Sequence, residues 1–444
     1  MRYFFRSFMA AVIAAVLIIN CFIFSAFAEE APKGNAPKTW HGHESTVLNS
    51  ALFSNGLHYN NSPVSEQVMK IGMDFGSGAL GWASFENLGG GGFIFGYYDE
   101  NRIFHAERQT KAHLIYVNIQ ETEGDIQPDG RPEIIYSLQV ANGIDSSVVL
   151  SMDESVTSLA LISADGSPLK YKDDSFMGGF ECVLKDGLIS VINYVPLEDY
   201  VKGVIPYEMS SYWPYEALRA QAVCARTYAV YNVDHYAEEG FDLTDDTRSQ
   251  VYRGCIDANE TTDAAVDSTS GQIIRYKGEP CEVYYFSSDG GATEDGSNVF
   301  SVDKPYLAGK SDPFEDAVDF SLKNWEFDFT GEELAAILNS SGYIIGEVKK
   351  IYPSLSHNGN VLALHFFDDY GLSASIEGRR CYTTLGLHSC NFDVISTDEG
   401  FRFSGSGWGH NCGMSQWGAY AMAEVYGYNY EEIIRFYFTG AYVA

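Results

Sequence analysis

Positive charge is what this chain of 444 residues has least of: 28 Lys and Arg stand against 60 Asp and Glu, a formal net charge of −32. A surface of that sign cannot displace the counterions of a phosphate backbone, so nucleic acid is excluded as a partner. A neutral or cationic partner fits better. Metal-binding patterns are missing too. The eight cysteines and ten histidines contain no CxxC pair and no Cys/His cluster with zinc spacing, so neither a metal nor another cofactor is expected. The tetraglycine Gly89 to Gly92 lacks the following helix and basic residue of a phosphate loop and reads as a turn. Tryptophan is scarce, with Trp 6 against Tyr 30 and Phe 28, an aromatic set suited to a β-rich core.

The one long apolar run, Phe8 to Phe24, follows the basic start Arg2 and Arg6 and precedes the small-residue site Ala26-Phe27-Ala28. That is an export signal, residues 1–28, which places the protein outside the cytoplasm. Cleavage after Ala28 releases it; retention of the run anchors it to the membrane. Without Cys21, seven cysteines remain, an odd number that leaves at least one thiol unpaired. They read as small buried residues, with Cys381 and Cys390 the nearest pair in sequence.

Residues 29–65 are rich in Pro, Gly, Asn, Ser and His and read as a linker. From Val68 short β-like runs follow one another ("VMKIGMDF", "GFIFGYY", "AHLIYVNI", "EIIYSLQV", "SLALISA", "GLISVINYV"), which makes 66–190 a β-rich region. Residues 196 to 239 are the strongest helical stretch, with Pro214 near a helix start and Gly240 as the stop. Residues 303–400 read as an α+β insertion, with a capping box Thr330-x-x-Glu333 and a hairpin signal at Asn358-Gly359. A glycine-rich loop then enters a final helix. The expected class is α+β: a β-rich N-terminal region, then a mixed domain built from 191–302 and 401–444 around that insertion.

One carboxylate stands apart. Glu208 lies on a Pro-bounded turn in "GVIPYEM", just ahead of an Ala-rich helix bearing Arg219 and Arg226. Those arginines are two helical turns, about 10 Å, apart and share one face. A solvated basic stripe explains them, and so does recognition of a sugar or carboxylate beside Glu208.

Four motifs, "YVKGVIPYEM", "WPYEALRAQAVCARTYA", "YYFSSDGG" and "GWGHNCGMSQWGAYAMA", resemble the SpoIID/LytB family of stage II sporulation protein D and the amidase enhancers, from about residue 190 to the C-terminus. The resemblance implies a peptidoglycan lytic transglycosylase acting on glycan strands stripped of stem peptides, in sporulation or cell-wall remodelling, with Glu208 as catalytic acid. It maps substrate contacts onto Arg219, Arg226, Tyr285, Ser287, Ser288, His410, Ser415 and Gln416. The alternative it implies is a non-catalytic module that binds cell wall and stimulates an N-acetylmuramoyl-L-alanine amidase. Two departures stand out: Phe286 and Asp289 replace a histidine and a serine of the family pattern. Some relatives hold zinc with a cysteine pair before Gln-Val-Tyr; "FDLTDDTRSQVY" has none, so no structural metal is expected.

Overall fold

Strand β1 (Val68–Asp74) pairs antiparallel with β12 (Leu188–Pro196) and parallel with the short β13 (Leu243–Thr244), so chain segments more than a hundred residues apart meet in one sheet. The structure, a computed structural model, describes residues 63–128, 131–321 and 323–444. The expected export signal and most of the linker lie outside them.

The first sheet has seven strands in the order β13-β1-β12-β11-β8-β3-β4, where β3 is Phe93–Tyr98, β4 Phe104–Thr110, β8 Ser158–Ser163 and β11 Gly179–Lys185. The second has six, β10-β9-β2-β5-β6-β7, where β2 is Trp82–Asn87, β5 Leu114–Ile126, β6 Pro132–Asn142, β7 Val148–Ser151, β9 Leu169–Tyr171 and β10 Asp174–Phe176. Alternation of buried and lining residues along β2 and β5 turns Ala83, Phe85, Ile115 and Val117 inward. Phe85 of one sheet meets Phe180 of the other at 5.0 Å between ring centres.

The same core continues into the helices. Helix α1 (Leu197–Glu208) starts directly from β12 and buries Leu197, Tyr200, Val201, Val204 and Ile205, spacings that put one stripe against the sheets. Helix α2 (Tyr215–Tyr231) is the Ala-rich segment. It buries Ala217, Ala220, Ala222, Ala225 and Ala229, and their small side chains let α1, α3 (Glu260–Asp267), α5 (Gln416–Glu424) and α6 (Tyr430–Tyr437) pack around it. Position 190 therefore falls inside a strand, and a single cluster of buried residues runs from β1 to α6.

The insertion has its own core around Trp325, Leu334, Phe366 and Phe403, with helix α4 (Gly331–Ser340) against two three-stranded sheets. The capping box forms: Thr330 Oγ1 accepts the Glu333 N–H at 3.1 Å while Glu333 accepts the Thr330 N–H at 2.8 Å. Asn358-Gly359 joins strands Lys350–Leu355 and Val361–Phe367, with Gly359 at φ 92 in the left-handed region a hairpin turn requires. The result is the expected β-rich α+β fold.

Three details differ from the sequence reading. Pro214 caps α2 one position before its first residue, and α2 ends at Tyr231 rather than at Gly240, which instead closes a 3-10 turn at φ 92. Strand β4, "FHAERQT", gave no apolar signal because it is a half-exposed edge strand. Glu208 is not on a free turn. It is the last residue of α1, whose final turn accommodates Pro206.

Candidate functional site

Helix α1 ends at Glu208 because Met209 turns extended, its N–H closing on Ile205 O at 3.0 Å. The carboxyl is held from the side by two donors. Gln416 Nε2 donates to Oε2 at 3.1 Å, and Tyr285 Oη donates to Oε1 at 3.4 Å. Both come from segments that pair with each other: Tyr285–Phe286 runs parallel to Met414–Ser415, and Gln416 opens α5. Burial pushes the Glu208 carboxyl above the ordinary glutamate value, and the two hydrogen bonds only partly oppose it. The C-terminal end of a helix dipole acts in the same sense as the burial.

The acid opens onto a cleft of about 500 Å³ lined by Pro206 to Ser211, Asp257 and Asn259. The hydroxyl of Tyr207 is bonded to the Asp257 carboxylate across this lining. No Lys or Arg lines it. A second cavity, about 410 Å³, lies on the first sheet beside Tyr98, Phe104 and Tyr194 and contains no comparable buried acid.

The structure brings only Tyr285 and Gln416 of the expected contacts to Glu208. Arg226 is placed elsewhere. It is fully buried, and its guanidinium donates to Glu198 (Nε to Oε1 2.9 Å, Nη2 to Oε2 2.6 Å), to Val266 O at 3.2 Å, to Gln272 O at 3.2 Å and to Thr269 Oγ1 at 3.5 Å. Its N–H donors are thus committed within the protein, and none remains for substrate. Arg219, two turns earlier, pairs with Glu216 at 3.0 Å and lies 3.9 Å over the Tyr430 ring. The shared face expected for the two arginines serves the packing of α2 against its neighbours, not the acid.

Ser288 and Ser415 are also turned away from the cleft. Both are fully buried and donate to Glu315, Ser288 Oγ at 2.7 Å. Ser287 participates through its carbonyl, which accepts the Trp417 N–H at 2.9 Å. His410 lies among Phe286, Phe300 and Tyr284. Its Nε2 donates to Tyr285 O at 3.1 Å and its Nδ1 accepts the Cys412 N–H at 3.2 Å, so the ring is neutral, and burial depresses its pKa to about 3. Phe286, where the family pattern has histidine, packs 5.1 Å from that ring.

Glu315 is the residue the sequence hid. It sits in the acidic stretch "DPFEDAVD", with nothing to separate it from its neighbours. In the fold it is buried and accepts from Ser288, Ser415, Asp289 N at 3.0 Å and Gly290 N at 3.2 Å, tying the 285–291 loop to the start of α5. Asp289 beside it is fully buried; burial first, then the charges of Glu315 and Asp312, push its carboxyl well above the ordinary aspartate value. Among the described residues, no group of three or more His, Cys, Asp or Glu is arranged to hold a metal ion. All seven described cysteines are free thiols.

A carboxyl at the end of α1, held by a tyrosine and a glutamine beside an open cleft whose lining carries a second carboxyl, Asp257, and no cation, is the site these elements build. Residues 185–276, which include Glu208, match the model of the family described as SpoIID, stage II sporulation protein. An uncharacterised protein of Brachyspira hyodysenteriae is 38% identical over 257 residues, covering 56% of this chain and 67% of that one. An amidase enhancer of Bacillus subtilis is 30% identical over 286 residues, 54% of this chain and 39% of the relative. Stage II sporulation protein D of the same organism is 29% identical over 271 residues, 57% and 76%. The chain belongs to the SpoIID/LytB family.

Proposed function

We propose that this protein is a peptidoglycan lytic transglycosylase whose acid and base are both Glu208. The observation that carries the reading is the carboxyl itself: half-buried, held by Tyr285 and Gln416, kept protonated to higher pH than an exposed glutamate, and facing a cleft. A glycosidase that activates water normally needs two carboxyls flanking the bond. One is enough when the nucleophile is the sugar's own hydroxyl. Glu208 protonates the glycosidic oxygen as the C1–O bond breaks; the C6 hydroxyl of the same sugar attacks C1, and its proton returns to the Glu208 carboxylate. No water is consumed, and a 1,6-anhydro end forms. Gln416 and Tyr285 steady the carboxylate that exists between the two transfers. The lining holds two carboxyls and no cation, which disfavours the several carboxylates that a stem peptide carries. The apolar N-terminal run supports action outside the cytoplasm.

Incubating the protein with peptide-free glycan strands should yield anhydro-muramyl ends. Glu208→Gln should lower their rate of formation by a factor on the order of 100 or more, the scale of a lost general acid, while strand binding persists. Equal rates for the two proteins would remove Glu208 from the chemistry. A second reading, a non-catalytic enhancer of a cell-wall amidase, is favoured by one observation: Phe286 fills the place of the family histidine. It predicts no anhydro product from either protein and faster release of stem peptides when a cell-wall amidase is added.

A further inference from the structure

We propose that the turn between α1 and α2 carries an aromatic subsite for one uncharged pyranose ring, led by Tyr212. The inference rests on reading the Glu208 cleft as a glycan site and assigns a substrate contact that the family motifs do not. Tyr212 is 96% exposed, more than any other exposed large hydrophobic side chain among the described residues. A ring wholly in water contributes no packing to the fold. Its turn is nevertheless closed: the Trp213 N–H donates to Ser210 O at 2.9 Å and the Tyr212 N–H to Ser210 Oγ at 3.4 Å. Ser210 and Ser211, the two residues before it, line the cleft with Glu208.

The turn is backed by rings that belong to the acid's own supports. Trp213 is half-buried, 4.7 Å from the Trp417 ring and 5.2 Å edge-on to Tyr420. Trp417 lies stacked on Phe320 at 4.2 Å. Gln416, whose amide holds Glu208, is the neighbour of Trp417 and one helical turn from Tyr420. The acid and the aromatic bank therefore share two segments, 208–213 and 416–420. On the other side Tyr207 presents a part-exposed ring pinned by Asp257.

The chemistry of the lining selects the ligand. Glu208 and Asp257 without a cation disfavour an anion, while the hydroxyls of Ser210 and Ser211 and the amide of Asn259 suit sugar hydroxyl and acetamido groups. The apolar face of a pyranose ring complements the face of Tyr212.

The test separates this proposal from the chemistry of Glu208. In the full-length Glu208→Gln protein, a peptide-free glycan oligosaccharide is titrated by calorimetry and by tryptophan fluorescence, which reports on Trp213 and Trp417. Adding Tyr212→Ala should weaken binding about tenfold, the scale of an aromatic contact, with the melting temperature unchanged. Adding Tyr212→Phe or Tyr212→Trp should retain it. Unchanged affinity for the Ala variant overturns the proposal, and so does an equal loss in the Phe variant, which would assign the effect to the hydroxyl. If the Glu208→Gln protein with Tyr212 intact binds no glycan, the subsite is overturned even where the wild type forms anhydro ends.

Discussion

Glu208 and Arg226 show how far a residue's neighbours outweigh its type. Both are charged groups on adjacent helices, yet one lacks a cation and the other has all its donors engaged. The raised pKa of Glu208 ties its protonation to folding. The native state holds this proton more tightly than the unfolded chain, so the stability it supports is present below the ordinary glutamate value and lost as pH rises through the native value. Glu208→Gln should therefore melt higher than wild type at neutral pH, with the difference shrinking in acid, as calorimetry across pH would show. The rate of anhydro-product formation should fall as pH rises through the same native value. Arg226 behaves oppositely. Removing it strands Glu198 in a part-buried site, and Arg226→Ala should destabilise the fold by about 3–5 kcal/mol, measured by denaturant unfolding. A stable Arg226→Ala protein that has lost only glycan affinity would restore the arginine to the substrate.

Elements meet at Glu315. The 285–291 loop, the start of α5 and the acidic segment near 315 are unrelated in sequence, and this carboxylate ties them through two serine hydroxyls and two backbone N–H groups. Glu315→Gln keeps the size but replaces one acceptor oxygen by a donor facing other donors. We expect a loss of about 1–3 kcal/mol for the mispaired buried groups, together with slower anhydro-product formation, because α5 carries Gln416. Ser415→Ala also removes the cap of α5, where Ser415 Oγ accepts the Gly418 N–H at 3.1 Å. Its expected loss is about 1 kcal/mol for the cap alone. Unfolding midpoints and product yields for both variants check this, and an unaltered yield with lowered stability would confine Glu315 to folding.

At the scale of the molecule, the β-rich region and the helices are one structure. Strand β12 hydrogen-bonds to both β1 and β11 and then becomes α1, the helix that ends in Glu208. A fragment beginning at 191 loses the first three residues of β12 and both of its partner strands, β1 and β11. It should lack a cooperative melt by circular dichroism, whereas the full chain should lose sheet and helix signals together; a fragment that melts cooperatively would make 66–190 a separate domain. Among the described residues no helix is long and apolar enough to cross a membrane.

What the sequence by itself determined was local or repetitive in nature: period-two strands such as β2 and β5, the capping box at Thr330, the Asn358-Gly359 turn, and a family membership carried by motifs of consecutive residues. Each is a pattern whose physical cause lies within a few residues of itself. Glu208, Tyr285 and Gln416 were singled out in the same way, but which of the motif residues hold the Glu208 carboxyl, and that Glu315 organises the others, was not legible. Tyr285, Gln416 and Glu315 stand 77 or more positions from Glu208, and which hydroxyls face the cleft and which face Glu315 depends on how two distant segments pair. The arginines illustrate the limit. Helical spacing places the two on one face but cannot say what covers it, and Glu198 and Tyr430 lie over them because α1 and α6 pack against α2. Burial, and with it the pKa of every acid in the site, belongs to the tertiary structure, because only the packed chain decides which carboxyl is taken out of water.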